Sequence, residues 1–301
     1  MLGPEGFGQL NWAAEGFTAV FFVLAGLGLE VYIRKEVPLR PEHASEFFGG
    51  TLLLQVLLAV VLLAVMQGLM VLDGKPDHLR VLVLLLGIYQ LFFRCNGTLA
   101  AVLHARERVD GLSVANIATK SVWGLGQVLV LLLELPLPWL GVPILASELV
   151  RAVVLFRLAR RHAGLELRLD ARGTRTALKG ALPFFMNEAA LAANGPMGIF
   201  LLGFLTNTTE VGWYGSAMNL ANITLMAAPV LTWVMMPLLA RASAHSQEEI
   251  FRIARRALEA VCAFSIPLML AMALGAETWM SLVYGETFRP GAVVMRLQAP
   301  V

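Results

Sequence analysis

Two cations stand inside apolar stretches, where charge is costly: Arg94 in VLVLLLGIYQLFFRCNGTLAAVL and Lys120 in LSVANIATKSVWGLGQVLVLLL. A charged side chain at the centre of a bilayer costs ~2.5–3.5 kcal/mol on insertion scales, so each needs a reason to be there. Arg94 precedes the end of its run at residue 103 and Lys120 follows the start of the next at residue 112. At ~1.5 Å per residue both lie ~12–14 Å from the same membrane face. Gln90, Arg94, Gly97 and Thr98 make a stripe at helical spacing, and Ser113, Asn116, Lys120, Gly124 and Gln127 make another. Two wet, cationic faces at one depth suit a diphosphate. The competing reading sends each side chain out to the cytoplasmic headgroups and leaves the glycines to close helix packing.

A second group lies in ALPFFMNEAALAANGPMGIFLLGFL. Asn187, Asn194 and Gly198 share a helix face, with Glu188 ~100° around. Gly195-Pro196 interrupts the helix near mid-depth and frees carbonyls that a cavity can use. A lone glutamate there either titrates with a coupling proton, binds Na⁺, or pairs with Lys120 or Arg94 as a structural ion pair. In the following run Asn219 and Asn222, with Ser216 and Met226, suit either sugar hydroxyls or interhelical hydrogen bonds. Glu30/Arg34 and Glu148/Arg151 have the spacing of structural pairs, and Glu15 lies close enough to the outer surface to be solvated.

The elements that position these residues are membrane helices. At 58% hydrophobic, 15% charged and a mean hydropathy of +0.72 the 301-residue chain is a polytopic membrane protein of all-α class. Apolar runs predict eight complete spans, about 11–33, 49–72, 79–103, 112–133, 138–158, 180–204, 212–239 and 254–274, with a truncated ninth from Gly291. Sixteen Lys and Arg fall in the loops at 34–48, 104–111, 157–179 and 241–256, against three, Lys75, Arg80 and Arg289, in the alternate set. The positive-inside rule therefore makes the first set cytoplasmic and puts the amino end outside. A chain that starts outside with no cleavable signal predicts a missing preceding helix. The arginines of the longest basic loop are explained by anionic lipid, and nucleic acid is not an expected partner.

Cys95 and Cys262 sit in apolar runs and support neither a disulfide framework nor a metal site. The five histidines are scattered without metal-ligand spacing, and no phosphate-cradling glycine loop occurs, so no cofactor and no direct use of ATP are expected. Asp73, Asp77, Asp110 and Asp170 do not cluster as a membrane glycosyl- or phosphotransferase would need.

A shift of 204 residues lays Gly8 on Gly212, Ala13 on Ala217 and Phe47 on Phe251, so that turn, helix, charged loop and helix repeat in order. Related helical halves recur in secondary transporters, where substrate binds between them near the midplane. LGPEGFGQLNWAAEGFTAVFFVLAGLGLEVYIRKE, LKGALPFFMNEAALAANGPMGIFLLGFLTNTTEVGWYGSAMNLANI, MPLLARASAHSQEEIFRIARRALEAV and LVYGETFRPGAVVMRLQA together resemble polysaccharide-biosynthesis flippases. These are the Wzx-like branch of the multidrug/oligosaccharidyl-lipid/polysaccharide exporter superfamily. The resemblance implies two lobes, 1–165 (family helices 2–6) and 166–301 (family helices 7–9 and the start of 10), with the first family helix and the last ones absent. It implies a transporter, not an enzyme, that moves a polyprenyl-diphosphate-linked oligosaccharide across a bacterial-type inner membrane by alternating access, among membrane lipids and other polysaccharide-assembly proteins. The alternatives are an ion-coupled drug or cation antiporter of the same superfamily and a nonfunctional gene fragment.

Overall fold

In the computed structural model the described residues are 2–37, 44–105, 110–162, 170–225 and 247–298, and every regular element among them is a helix. Helix α1 (Pro4–Asn11) opens on a proline, whose missing N–H costs nothing in a first turn. It continues through π-helical turns at Trp12–Thr18 into α2 (Ala19–Gly26). Two successive left-handed residues, Leu27 at φ 52° and Gly28 at φ 65°, then break the helix before α3 (Leu29–Glu36).

The break lies against α8 (Ala171–Asn194). Gly28 stands on the backbone of Ala181, Phe184 and Phe185, and a Cβ there would overlap it. Glycine is therefore required twice at this position, by its φ and by the space.

Four long helices come next: α4 (Ala44–Leu72), α5 (Asp77–Ala105), α6 (Asp110–Leu132) and α7 (Gly141–His162). Their ends have local causes. At the end of α4 the N–H of Gly74 reaches the carbonyl of Val71 and that of Lys75 the carbonyl of Met70, which closes the last turn on a left-handed glycine. Asp170 caps α8, its carboxylate accepting from the N–H groups of Arg172 (2.9 Å) and Gly173 (2.8 Å).

Among the described residues six helical stretches are long and apolar enough to cross a membrane: Pro4–Glu36, Gly49–Leu72, Asp77–Leu103, Gly111–Leu132, Leu137–Leu158 and Phe251–Leu274. Ala171–Ala193 and α9 (Pro196–Leu205) make a bent seventh, turning by 46° at the Gly195-Pro196 step that the sequence marks as an interruption. Pro196 has no N–H to give the carbonyl four residues back, so the ladder opens there. The expected span 212–239 begins in α10 (Thr208–Leu225) and runs on into residues outside those described.

The chain forms two compact units. In the first, Gln9–Leu205, α5 packs against α3, α4 and α7, and Leu29, Ile33, Leu103, Leu155, Ala177 and Ala181 share one buried core. The second joins Leu2–Gly8 to Thr206–Val301 and holds α10, α11 (Gln247–Leu274), α12 (Ala276–Tyr284) and α13 (Ala292–Gln298). Its core is Ala217, Met280, Phe288 and Met295, with the ring of Phe7 set edge-on to Tyr284 at 5.5 Å. Gly8 and Gly212, the pair that the 204-residue shift superposes, touch: a Cβ on Gly8 would lie 2.8 Å from the Gly212 nitrogen. This grouping is by contact, whereas the expected boundary at 165/166 follows the family resemblance. The two differ because α2 and α3 pack on α8, and Trp12–Thr18 on α9.

Outside the spans, Glu277 on α12 accepts from Arg289 Nη2 (2.7 Å) and Arg296 Nη2 (2.8 Å). The Arg289 guanidinium, and then that of Arg296, holds its carboxyl below the usual carboxylate range.

Replacing Gly28 by alanine forces a Cβ into the α8 backbone at a left-handed φ and is expected to lower stability by about 1–3 kcal/mol. Gly68→Ala, in α4 with open space around it, is the control. Thermal unfolding in detergent checks both, and equal melting temperatures would contradict the packing described.

Candidate functional site

The intramembrane charge of α5 meets that of α8. Arg94 Nη1 lies 3.9 Å from Glu188 Oε2, and the two side chains are 20% and 22% exposed. Charge-assisted hydrogen bonds run at about 2.7–2.9 Å, so this is an attraction across a gap and not a closed bond. Consistent with that, Arg94 Nε, Glu188 Oε2 and Gln90 Oε1 are all buried without a hydrogen-bond partner.

The first helix is shaped around the pair. A Cβ on Gly26 would stand 2.9 Å from both Arg94 Nη1 and Glu188 Oε2, so the α2 backbone lies directly on the two charges. One turn on from Arg94 along α5, Gly97 leaves room for the carboxylate of Glu30, whose Oε2 would be 2.7 Å from a Cβ there. Glu30 pairs with Arg34 as its spacing predicts, and its charge also reaches Arg94 and Glu188.

Of the two cationic partners open to Glu188 in the sequence, the structure has Arg94. Lys120 goes elsewhere. It is exposed on α6, with its ammonium 5.3 Å from the ring of Trp123, and α7 packs against both α5 and α6. Asn116, one turn before Lys120, is exposed on α6 as well. Gln127 is used structurally, donating to the carbonyl of Leu140 at 2.9 Å. Asn187 is exposed on α8, and the side chain of Asn194 falls outside the described residues. In the second unit Asn219 and Asn222 are exposed on α10, where Asn219 hydrogen-bonds Tyr284 and Ser216 donates to the carbonyl of Trp213.

A second polar group joins α5 to α7. Asn96, 1% exposed, donates from Nδ2 to Glu148 Oε2 at 2.7 Å and to the Glu148 carbonyl at 3.0 Å, and Glu148 faces Arg151 at 3.4 Å. The Glu148/Arg151 spacing is legible in the sequence, whereas nothing there singles out Asn96. Gln55 on α4, which accepts from the Thr98 hydroxyl at 3.0 Å, is another residue that sequence reasoning misses. The one available signal was that a polar residue in an apolar run needs a partner.

Three of the four loop aspartates have structural partners, and the side chain of Asp110 falls outside the described residues. Asp73 faces Lys75 at 3.1 Å, Asp77 faces Arg80 at 3.1 Å, and Asp170 is the α8 cap. Among the described residues no group of three or more His, Cys, Asp or Glu could hold a metal ion.

The sequence matches the polysaccharide biosynthesis protein family over residues 1–292. The chain belongs to that family. The fold of this polysaccharide biosynthesis protein is similar to that of a multidrug resistance MATE family transporter of the MOP superfamily, solved in an inward-facing conformation. The TM-score is 0.74 at 15% identity, covering 98% of this chain and 72% of the other. No curated protein matches it. The family member is thus a multi-pass membrane protein with a transporter fold.

Because removing one partner leaves the other charge buried and unpaired, Arg94→Leu and Glu188→Leu are each expected to destabilise the protein, and the double variant to recover part of the loss. Unfolding measurements on the cycle are expected to give a coupling of about 0.5–3 kcal/mol. Additive losses would mean that the two charges do not act on each other.

Proposed function

We propose that this protein translocates a polyprenyl-diphosphate-linked oligosaccharide across a bacterial-type inner membrane, with its amino end outside. The observation that carries the reading is Arg94, a guanidinium held within a membrane span with buried donor capacity left unused, in a chain of a polysaccharide biosynthesis family. A diphosphate is the lipid-linked group that such a donor fits, since arginine presents a planar fork to phosphate oxygens.

In this reading two lobes, 1–165 and 166–301, rock around a polar cavity, and an ion gradient or membrane potential drives them. The contact between the repeat-related residues Gly8 and Gly212 supports the two-lobe plan. Gln90, with an unpartnered carbonyl oxygen beside Arg94, and Asn187, exposed next to Glu188, line the cavity near the charges. Lys120, Asn116, Gln127 and Asn194 contribute further polar surface, and Asn219 and Asn222 take sugar hydroxyls. Glu188 is the ion-coupling group. The protein acts as a transporter and not as an enzyme, with membrane lipids and other polysaccharide-assembly proteins as its partners.

The second reading is an ion-coupled drug or cation antiporter. Glu188 favours it, because a partly exposed carboxylate inside the membrane can hold a cationic substrate, and the similar solved structure is titled a multidrug resistance transporter.

Complementation separates the two. In a flippase-deleted strain, this chain or a version extended through the surrounding genome is expected to restore surface polysaccharide, and Arg94→Ala is expected to lower the yield at least tenfold with the protein still in the membrane. Lys120→Ala is expected to reduce it less. Full polysaccharide from Arg94→Ala removes the diphosphate role, and drug resistance without polysaccharide selects the antiporter.

A further inference from the structure

The Arg94–Glu188 pair differs from a structural salt bridge in three respects. Its ends are 3.9 Å apart, Glu188 Oε2 is buried with no hydrogen bond, and the Glu188 side chain is about one-fifth exposed. The Glu148–Arg151 pair is the contrast, since its carboxylate is buried and additionally held by Asn96.

The surrounding charges determine the effect of taking Arg94 away. Arg94 faces Glu188 from α8, Glu30 from α3 and Tyr89 from its own helix. Glu188 faces Arg94 and Glu30. Arg34 is bonded to Glu30, and Lys35 lies 5.9 Å from the Phe184 ring. Among the described side chains, the other elements packed on α8, namely α2, α4 and α9, carry no titratable group. Arg94 is therefore the cation that compensates Glu188. Without it Glu188 keeps no ion-pair partner while Glu30, paired with Arg34, adds a second carboxylate nearby, which is unfavourable unless Glu188 is neutralised.

We propose that Arg94 is a shared site, holding Glu188 when empty of ligand and the diphosphate of an anionic lipid-linked ligand when loaded, so that ligand binding creates at Glu188 a site for one monovalent cation. This rests on the diphosphate reading given above and goes on to the stoichiometry. The diphosphate oxygens accept from the Arg94 N–H donors, Glu188 is released, and its carboxylate takes either a proton from water or a Na⁺ ion. Linkage makes the effect reciprocal: the cation tightens anion binding by the factor by which the anion tightens cation binding. Anionic lipid and cation then load together, and Glu188 carries no uncompensated charge at any stage of loading.

The test uses the purified 301-residue chain in lipid nanodiscs with farnesyl diphosphate as the probe, by calorimetry in buffers of different ionisation enthalpy, with and without Na⁺. Wild type is expected to take up about one proton per ligand in Na⁺-free buffer if the cation is a proton. If the cation is Na⁺, wild type instead binds about tenfold tighter when Na⁺ is added. Glu188→Gln, with no carboxylate to compete, is expected to bind about tenfold tighter than wild type at neutral pH and to show neither dependence. It also subtracts the titration of the diphosphate itself. Arg94→Lys, which keeps the charge, is expected to retain the linkage, and Arg94→Gln to lose both binding and linkage. Binding with the same affinity and the same proton and Na⁺ dependence in wild type and Glu188→Gln overturns the shared site while leaving the diphosphate reading standing. Absence of binding to wild type and Glu188→Gln alike overturns both.

Discussion

A charge in hydrocarbon must be compensated, and in this protein that constraint falls on Arg94. A guanidinium placed near the middle of a span is costly unless it is compensated, and an opposite charge from another helix does this. Glu188 supplies it from α8, at 3.9 Å. The pair in turn limits how other segments approach. Gly26 puts bare backbone against both charges and Gly97 accommodates Glu30. The left-handed break at Leu27 and Gly28 lets the first helix pass α8 at backbone distance. What looks like a small-residue packing stripe is thus also the wall of an electrostatic site.

The bend at Gly195-Pro196 belongs to the same region of the chain as Glu188. A helix that carries a charge and then loses a rung of its hydrogen-bond ladder offers backbone carbonyls as well as a carboxylate to a cation. By contrast, the Glu148 carboxylate is bonded by Asn96 and Arg151, and this group ties α5 to α7. Both Glu148 oxygens have partners and its side chain is 6% exposed, whereas Glu188 Oε2 has none and its side chain is 22% exposed. That difference, and not the mere presence of polar residues, marks where a ligand can act.

Much of this was legible in the sequence because the bilayer simplifies the reading. Runs of about 20 apolar residues fix the spans, the Lys and Arg bias divides the loops, and the Gly-Pro step marks the bend. The cost of intramembrane charge singled out Arg94, Lys120 and Glu188. Pairing across helices was not legible. Spacing shows which residues share a face of one helix but not how that helix is rotated against its neighbours, so Glu188 could not be assigned between Arg94 and Lys120. For the same reason the bond from Gln127 to the Leu140 carbonyl and that from Asn96 to Glu148 have no sequence signature. The left-handed Leu27 has no sequence signature, since leucine rarely takes that conformation and only the contact with α8 explains the break.

The central claim is that Glu188 is ionised and compensated by Arg94 inside the membrane. Infrared difference spectroscopy of the protein in lipid at neutral pH, wild type against Glu188→Gln and each with and without Arg94→Gln, reads that charge state directly. The account predicts a carboxylate stretch assigned to Glu188 in the wild type, replaced by a protonated carbonyl band when Arg94 is neutralised. A protonated Glu188 in the wild type, or a carboxylate band indifferent to Arg94, would contradict it.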